Sequence, residues 1–186
     1  MTAPFDSVVV LSRALDQAGD VLAAVRTDQL SLPTPCSDWD VAQLVGHLVD
    51  APRRFLEMAR GEQVDWSAGP RRVSENWVPE FRSNADDLLH HWHQAGPDVE
   101  TGQADWHTAE LAVHTWDLAQ ATGQSRPLLP EVAERGLAFM SAMLTPERRG
   151  AAFGPEVSVP EDAPVYQRLA AIAGRAVDSR TASTPS

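Results

Sequence analysis

The segment AELAVHTWDLAQATG, residues 109–123, carries an acid at Glu110, a histidine at His114 and a second acid at Asp117. On a helix at about 100° per residue, with Glu110 as the origin, Asp117 falls at about 340° and His114 at about 40°. An acid and a histidine four apart stack one turn above the other, so they can grip one metal ion. They can also form a plain surface pair worth a few tenths of a kcal/mol. The rest of the helix bears on that choice. Val113, Leu111 and Leu118 bracket the polar line, and the far side holds Ala112, Thr115 and Ala119. A helix so apolar around its girth is mostly buried, and buried charge must be paired or bound to metal. His107 lies one turn before Glu110 on the same face, as a fourth ligand, an outer hydrogen-bond donor or a solvated residue. Asp117 can orient a ligand histidine, cap a loop or pair with an arginine.

A metal site needs a third ligand. VAQLVGHLVD offers His47, at the edge of a core stripe made by Val41, Leu44, Val45, Leu48 and Phe55. A histidine there either packs at the core boundary or faces a neighbouring helix. Cys36 reads as lying at a helix N-terminus, where the dipole can lower a thiol pKa. It stands eleven residues before His47, about 16 Å away if that stretch is helical. The expected role of Cys36 is therefore a small packing residue. The HHWH tract (His90, His91, His93) spreads around a helix and reads as a solvated face. Trp39 and Trp116 are expected to wall the cavity between the two motifs.

These residues need helices to position them, and the chain reads as helices punctuated by Pro and Gly. The first is expected over about Phe5 to Thr27, with Val8, Val9, Ala14, Leu15, Leu22 and Val25 toward the core. A second runs from about Asp38 to Arg60, with Ser37 or Asp38 as N-cap, Gly61 as terminator and Pro52 as a kink. A third covers about Ser74 to Gln94. The fourth spans about Ala104 to Thr122 and is closed by Gly123. A fifth runs from Pro130 to Leu144, and a short sixth from about Ala163 to Gly174. The stretch from Arg175 onward is polar, and DSRTASTPS reads as disordered. The expectation is one all-α domain over residues 1–175, a helix bundle with a tail over 176–186.

Composition narrows the function. A net charge of −11 disfavours nucleic acid and anionic lipid, which bind through clustered cations. All fifteen basic residues are arginine, so no lysine is available for Schiff-base chemistry. A single cysteine excludes an internal disulfide and a cysteine-rich zinc site. No apolar run approaches a membrane span, and the N-terminus lacks the pattern of a signal peptide, so a cytoplasmic location is expected. No Walker A, dinucleotide or nucleophile-elbow motif is present.

PTPCSDWDVAQLVGHLV and AELAVHTWDLAQATGQ, in that order, resemble the DinB-like metal-binding helical bundles. They are most similar to the branch of the mycothiol-dependent maleylpyruvate isomerase N-terminal domain. The resemblance covers about Phe5 to Arg175. It implies a four-helix bundle in an up-down-down-up arrangement with short accessory C-terminal helices. It also implies a divalent metal, usually zinc, on His47, Glu110 and His114. Two histidines and a carboxylate leave a position open for water or substrate, as in catalytic zinc sites. The resemblance thus implies a thiol S-transferase or isomerase, with a small thiol of the mycothiol type as co-substrate and a small electrophile as partner. A non-catalytic metal-binding or stress-response module and a metal-free helical interaction protein are the alternatives. A homodimer is compatible with the resemblance, although no exposed stripe requires one. Two departures are visible. The isomerase's second domain is not expected in this chain, and the connection over Ala95–Gln103 is short.

Overall fold

The burial expected for the AELAVHTWDL helix sets the architecture. In the computed structural model, which describes residues 4–73, 75–96, 102–149 and 153–177, this helix is the one most enclosed by its neighbours. The helices are α1 (Pro4–Ala23), α2 (Val41–Ala59), α3 (Trp77–Ala95), α4 (Gly102–Ala121), α5 (Pro130–Met143) and α6 (Val165–Ile172), and no strand occurs among the described residues. Thirteen of the twenty residues of α4 are buried, so it carries no solvent face of the usual kind. It packs against α1, α2, α5 and α6.

The bundle closes in the ring order α1–α4–α2–α3. Side-chain contacts fix the helix directions. His47 meets His114 while Phe55 meets His107, so α2 and α4 run antiparallel. Asn84 of α3 bonds the Val49 carbonyl, and Glu80, one turn earlier, pairs with Arg71, whose carbonyl lies over Gly46. Hence α2 and α3 run in the same sense. Trp77, at the start of α3, donates to the Leu22 carbonyl near the end of α1, which makes that pair antiparallel. Around their C-terminal ends, α1 and α4 are tied by Gln29 to Thr122 and by Gln124 to Val21. The result is up-down-down-up, with α5 and α6 as the accessory layer over α4. Fully buried Leu11, Leu15, Leu44, Leu48, Phe81, Leu88, Leu111 and Leu118 fill the interior, each worth roughly 1.5–3 kcal/mol.

Three local expectations are corrected. The N-cap of α2 is Asp40, not Ser37 or Asp38. The Thr34 hydroxyl shares its one proton between the Trp39 and Cys36 carbonyls, at 2.7 Å and 2.9 Å, and Pro33 pairs with Asp40, so the chain stays non-helical through Trp39. Asp40 then forms a reciprocal capping box with Gln43. Val9 is exposed rather than core. Helix α1 stops at Ala23, and a 3-10 turn over Thr27–Gln29 follows. Ser74, most of the Ala95–Gln103 connection and the DSRTASTPS tail lie outside the described residues.

Gly46 precedes His47 and faces the Arg71 carbonyl, which would lie 2.2 Å from an added Cβ. The 61–73 loop therefore crosses α2 where only a glycine lets it. Gly46→Ala is expected to cost about 1–3 kcal/mol, as overpacking does. Urea unfolding of the variant checks this.

Candidate metal centre

His47 sits on the second turn of α2, just behind the cap that sets where the helix begins. Glu110 and His114 sit one turn apart in the middle of α4. The seam between α2 and α4 brings the three together. Glu110 Oε2 lies 3.2 Å from His47 Nε2 and 3.4 Å from His114 Nε2. The two imidazoles meet edge to face, with centroids 4.7 Å apart. One ligand atom from each residue falls within 4.8 Å of the other two. The His47 and Glu110 side chains keep 15% and 19% of their exposure, so this end of the seam can be reached from outside.

The protonation pattern follows from burial and pairing. Burial lowers the His47 pKa, with the Glu110 hydrogen bond opposing it. Burial alone would raise Glu110, but the two histidines hold it well below the usual carboxylate range. Burial would also lower His114. Asp117 on Nδ1 and Glu110 on Nε2 overcome it and raise the group to about 9. Without metal, His114 therefore carries a proton between itself and Glu110. The donor set, two imidazole nitrogens and one carboxylate oxygen, suits a zinc-type ion that would take that proton's place.

Asp117 is wholly buried and lies behind His114. Its Oδ2 is 3.2 Å from His114 Nδ1, so Nδ1–H donates to it and Nε2 is turned toward Glu110. Asp117 thus meets His114 on one side and pairs with Arg175 on the other. The Arg175 Nε lies 3.1 Å from Oδ1, and its NH2 group lies 3.1 Å from Oδ2. Arg175 closes the expected domain as the first residue of a polar stretch, yet it is 5% exposed. Two backbone bonds explain its placement. At the end of α6, Gly174 N–H donates to the Ala171 carbonyl and Arg175 N–H to the Ala170 carbonyl, which is a Schellman turn. Gly174 has φ of +77°, and an added Cβ would press on the Gly154 backbone at 2.7 Å. The glycine in AIAGR was the signal that could have placed Arg175 against the bundle.

Cys36 is not helical, so the 16 Å spacing does not apply. Its sulfur lies within 4.8 Å of ligand atoms of His114 and Asp117, in a group separate from the His47–Glu110–His114 set. Burial raises the thiol pKa, with Arg175 opposing, and Cys36 does not sit at the helix N-terminus where a dipole could lower it. Trp39 walls the site as expected, 4.6 Å from the His47 ring and 5.6 Å from the His114 ring. Trp116 does not. It lines a separate groove of about 730 Å³ with Pro33, Thr34, Gln120, Gln167 and Val177. His90 and His93 are exposed and His91 half-buried, as a solvated face requires.

His107 is not solvated. It is 1% exposed and stacks on Phe55 at 3.9 Å and 11°. Burial lowers its pKa to about 3, against an unfolded value near 6.5. Between those values the unfolded chain binds the extra proton, so stability falls as pH drops below about 6.5. Relative to His107→Phe, the native chain is expected to lose about 1.4 kcal/mol more per pH unit below that point. Urea unfolding of both proteins at pH 6.5 and pH 5 measures the difference.

Comparison with known proteins places these residues in a family. The model of the mycothiol maleylpyruvate isomerase N-terminal domain matches residues 11–119, a span holding His47, Glu110, His114 and Asp117. Two relatives from Mycobacterium tuberculosis, strains CDC 1551 / Oshkosh and ATCC 25618 / H37Rv, are each 33% identical over 189 residues. These alignments cover 92% of this chain and 99% of each relative, and both relatives are described as uncharacterized proteins. No solved structure matches. Arg175 lies beyond the matched domain, in the part of the chain that the accessory helices bring back to it. With its bundle, its two motifs and this match in hand, the chain belongs to the mycothiol maleylpyruvate isomerase N-terminal domain family.

Proposed function

We propose that this protein is a zinc-dependent thiol S-transferase or isomerase of the cytoplasm, acting with a small thiol of the mycothiol type on a small electrophile. The observation that carries the reading is the convergence of His47 Nε2, Glu110 Oε2 and His114 Nε2 at a partly exposed end of the α2–α4 seam. When bound there, zinc supplies an open coordination position and lowers the pKa of a thiol or water occupying it. The chain's own residues do the rest. Asp117 fixes the His114 ring with Nε2 forward, and Arg175 holds Asp117 in place. Trp39 covers both histidines and keeps water from that face. The test is conjugation of mycothiol to 1-chloro-2,4-dinitrobenzene by zinc-loaded protein. Product formation is expected to need zinc and to vanish in His47→Ala.

A second reading has its own support, because the 730 Å³ groove does not include the three residues. In it, the ion only staples α2 to α4, and the protein is a non-catalytic metal-binding module. Zinc would then raise the melting temperature while the thiol would neither shift it further nor be consumed.

A further inference from the structure

His107 holds two buried ring nitrogens, and among the described residues neither has a hydrogen-bond partner. Leaving such groups unmade costs about 1–3 kcal/mol each, whereas an apolar ring of similar shape would cost nothing on that score. The ring lies in the same seam as the three candidate ligands. It is one turn before Glu110 on α4 and it stacks on Phe55 of α2. Its surroundings exclude water. Phe55 covers one face, and Trp66 and Trp106 pack on Phe55 at 5.2 Å and 5.5 Å and on each other at 5.5 Å. Nothing in the aromatic cover demands a polar ring beneath it.

A neutral imidazole always carries one N–H. Held neutral by burial, His107 is a poor base but a sound donor, and in a dry seam a donor acts most strongly on an anion. We propose that His107 is the hydrogen-bond donor for an anionic ligand of the thiolate class at the position that His47, Glu110 and His114 leave open. His107 is then a ligand-binding residue, and no proton moves to or from it. This rests on the metal-centre reading, and the test separates the two.

The full chain is loaded with cobalt(II) in place of zinc and titrated with 2-mercaptoethanol, following sulfur-to-cobalt charge-transfer absorption. Native protein and His107→Phe are expected to hold one cobalt per chain. The variant is expected to bind the thiol about tenfold to a hundredfold more weakly, the worth of one hydrogen bond to a charged group. His107→Gln, which keeps a donor, is expected to recover part of the loss. His107→Leu replaces the Phe variant if the larger ring prevents folding. Equal thiol affinity in native and apolar variants, all holding cobalt, overturns the inference. Cobalt without any thiol signal in native protein also overturns it, while leaving a metal module standing. No cobalt in native protein overturns the metal centre itself and this inference with it.

Discussion

Arg175→Met is expected to lower folding stability by about 3–5 kcal/mol, the cost of leaving one member of a buried ion pair uncompensated. The pair with Asp117 is sealed, with side-chain exposures of 6% and 0%. The guanidinium covers both carboxylate oxygens, and its NH1 group also caps the Ala173 carbonyl. Methionine fills much of the volume but leaves the Asp117 charge, among the described residues, with only the His114 N–H. Removing both charges in Asp117→Asn/Arg175→Met takes away that penalty, so the double variant is expected to be more stable than Arg175→Met alone. Urea unfolding of the full chain at pH 7 measures both. A loss under 1 kcal/mol for the single variant would mean that Arg175 does not anchor the C-terminal segment to the site.

The second large effect concerns zinc. His114→Ala is expected to weaken zinc binding by more than about a hundredfold, beyond the 10–100-fold that loss of an outer partner costs. Asp117→Asn, which leaves the ligand in place but removes the acceptor behind it, is expected to fall within that smaller range. The two variants thus rank ligand and support by competition with a zinc indicator. Because His114 keeps its proton up to about pH 9 without metal, zinc uptake at pH 7 must release that proton. Affinity should then drop about tenfold for each pH unit below 9 on account of this group alone. Similar losses in both variants, with no proton released, would contradict the assigned roles.

Much of this was legible in the sequence because it depended on spacing within single helices. The i, i+4 placement of Glu110 and His114 puts them on one line wherever the helix lies. The apolar girth of α4 correctly announced burial on every side. What spacing could not give was contact between distant parts. From spacing, His47 was a boundary residue or one facing a neighbouring helix, and the antiparallel α2–α4 seam sets it against Glu110. Cys36 was misplaced because a helix was assumed where Thr34 and the Pro33–Asp40 pairing hold a turn. Trp116 shares a motif with His114, but two residues around the helix it points toward a different groove. Arg175 was missed because a polar residue near the end of a chain resembles a tail, and its partner lies 58 positions earlier.

The metal content of the untagged protein, measured per chain by elemental mass spectrometry beside Glu110→Ala, bears most directly on the centre. Glu110 is the group that both histidines face, so its loss dissolves the donor set without touching either ring. About one zinc in the native chain and none in a folded Glu110→Ala variant is the predicted result. No stoichiometric metal in the native chain, even after zinc is added, would contradict it and leave His47, Glu110 and His114 as a buried hydrogen-bonded cluster only.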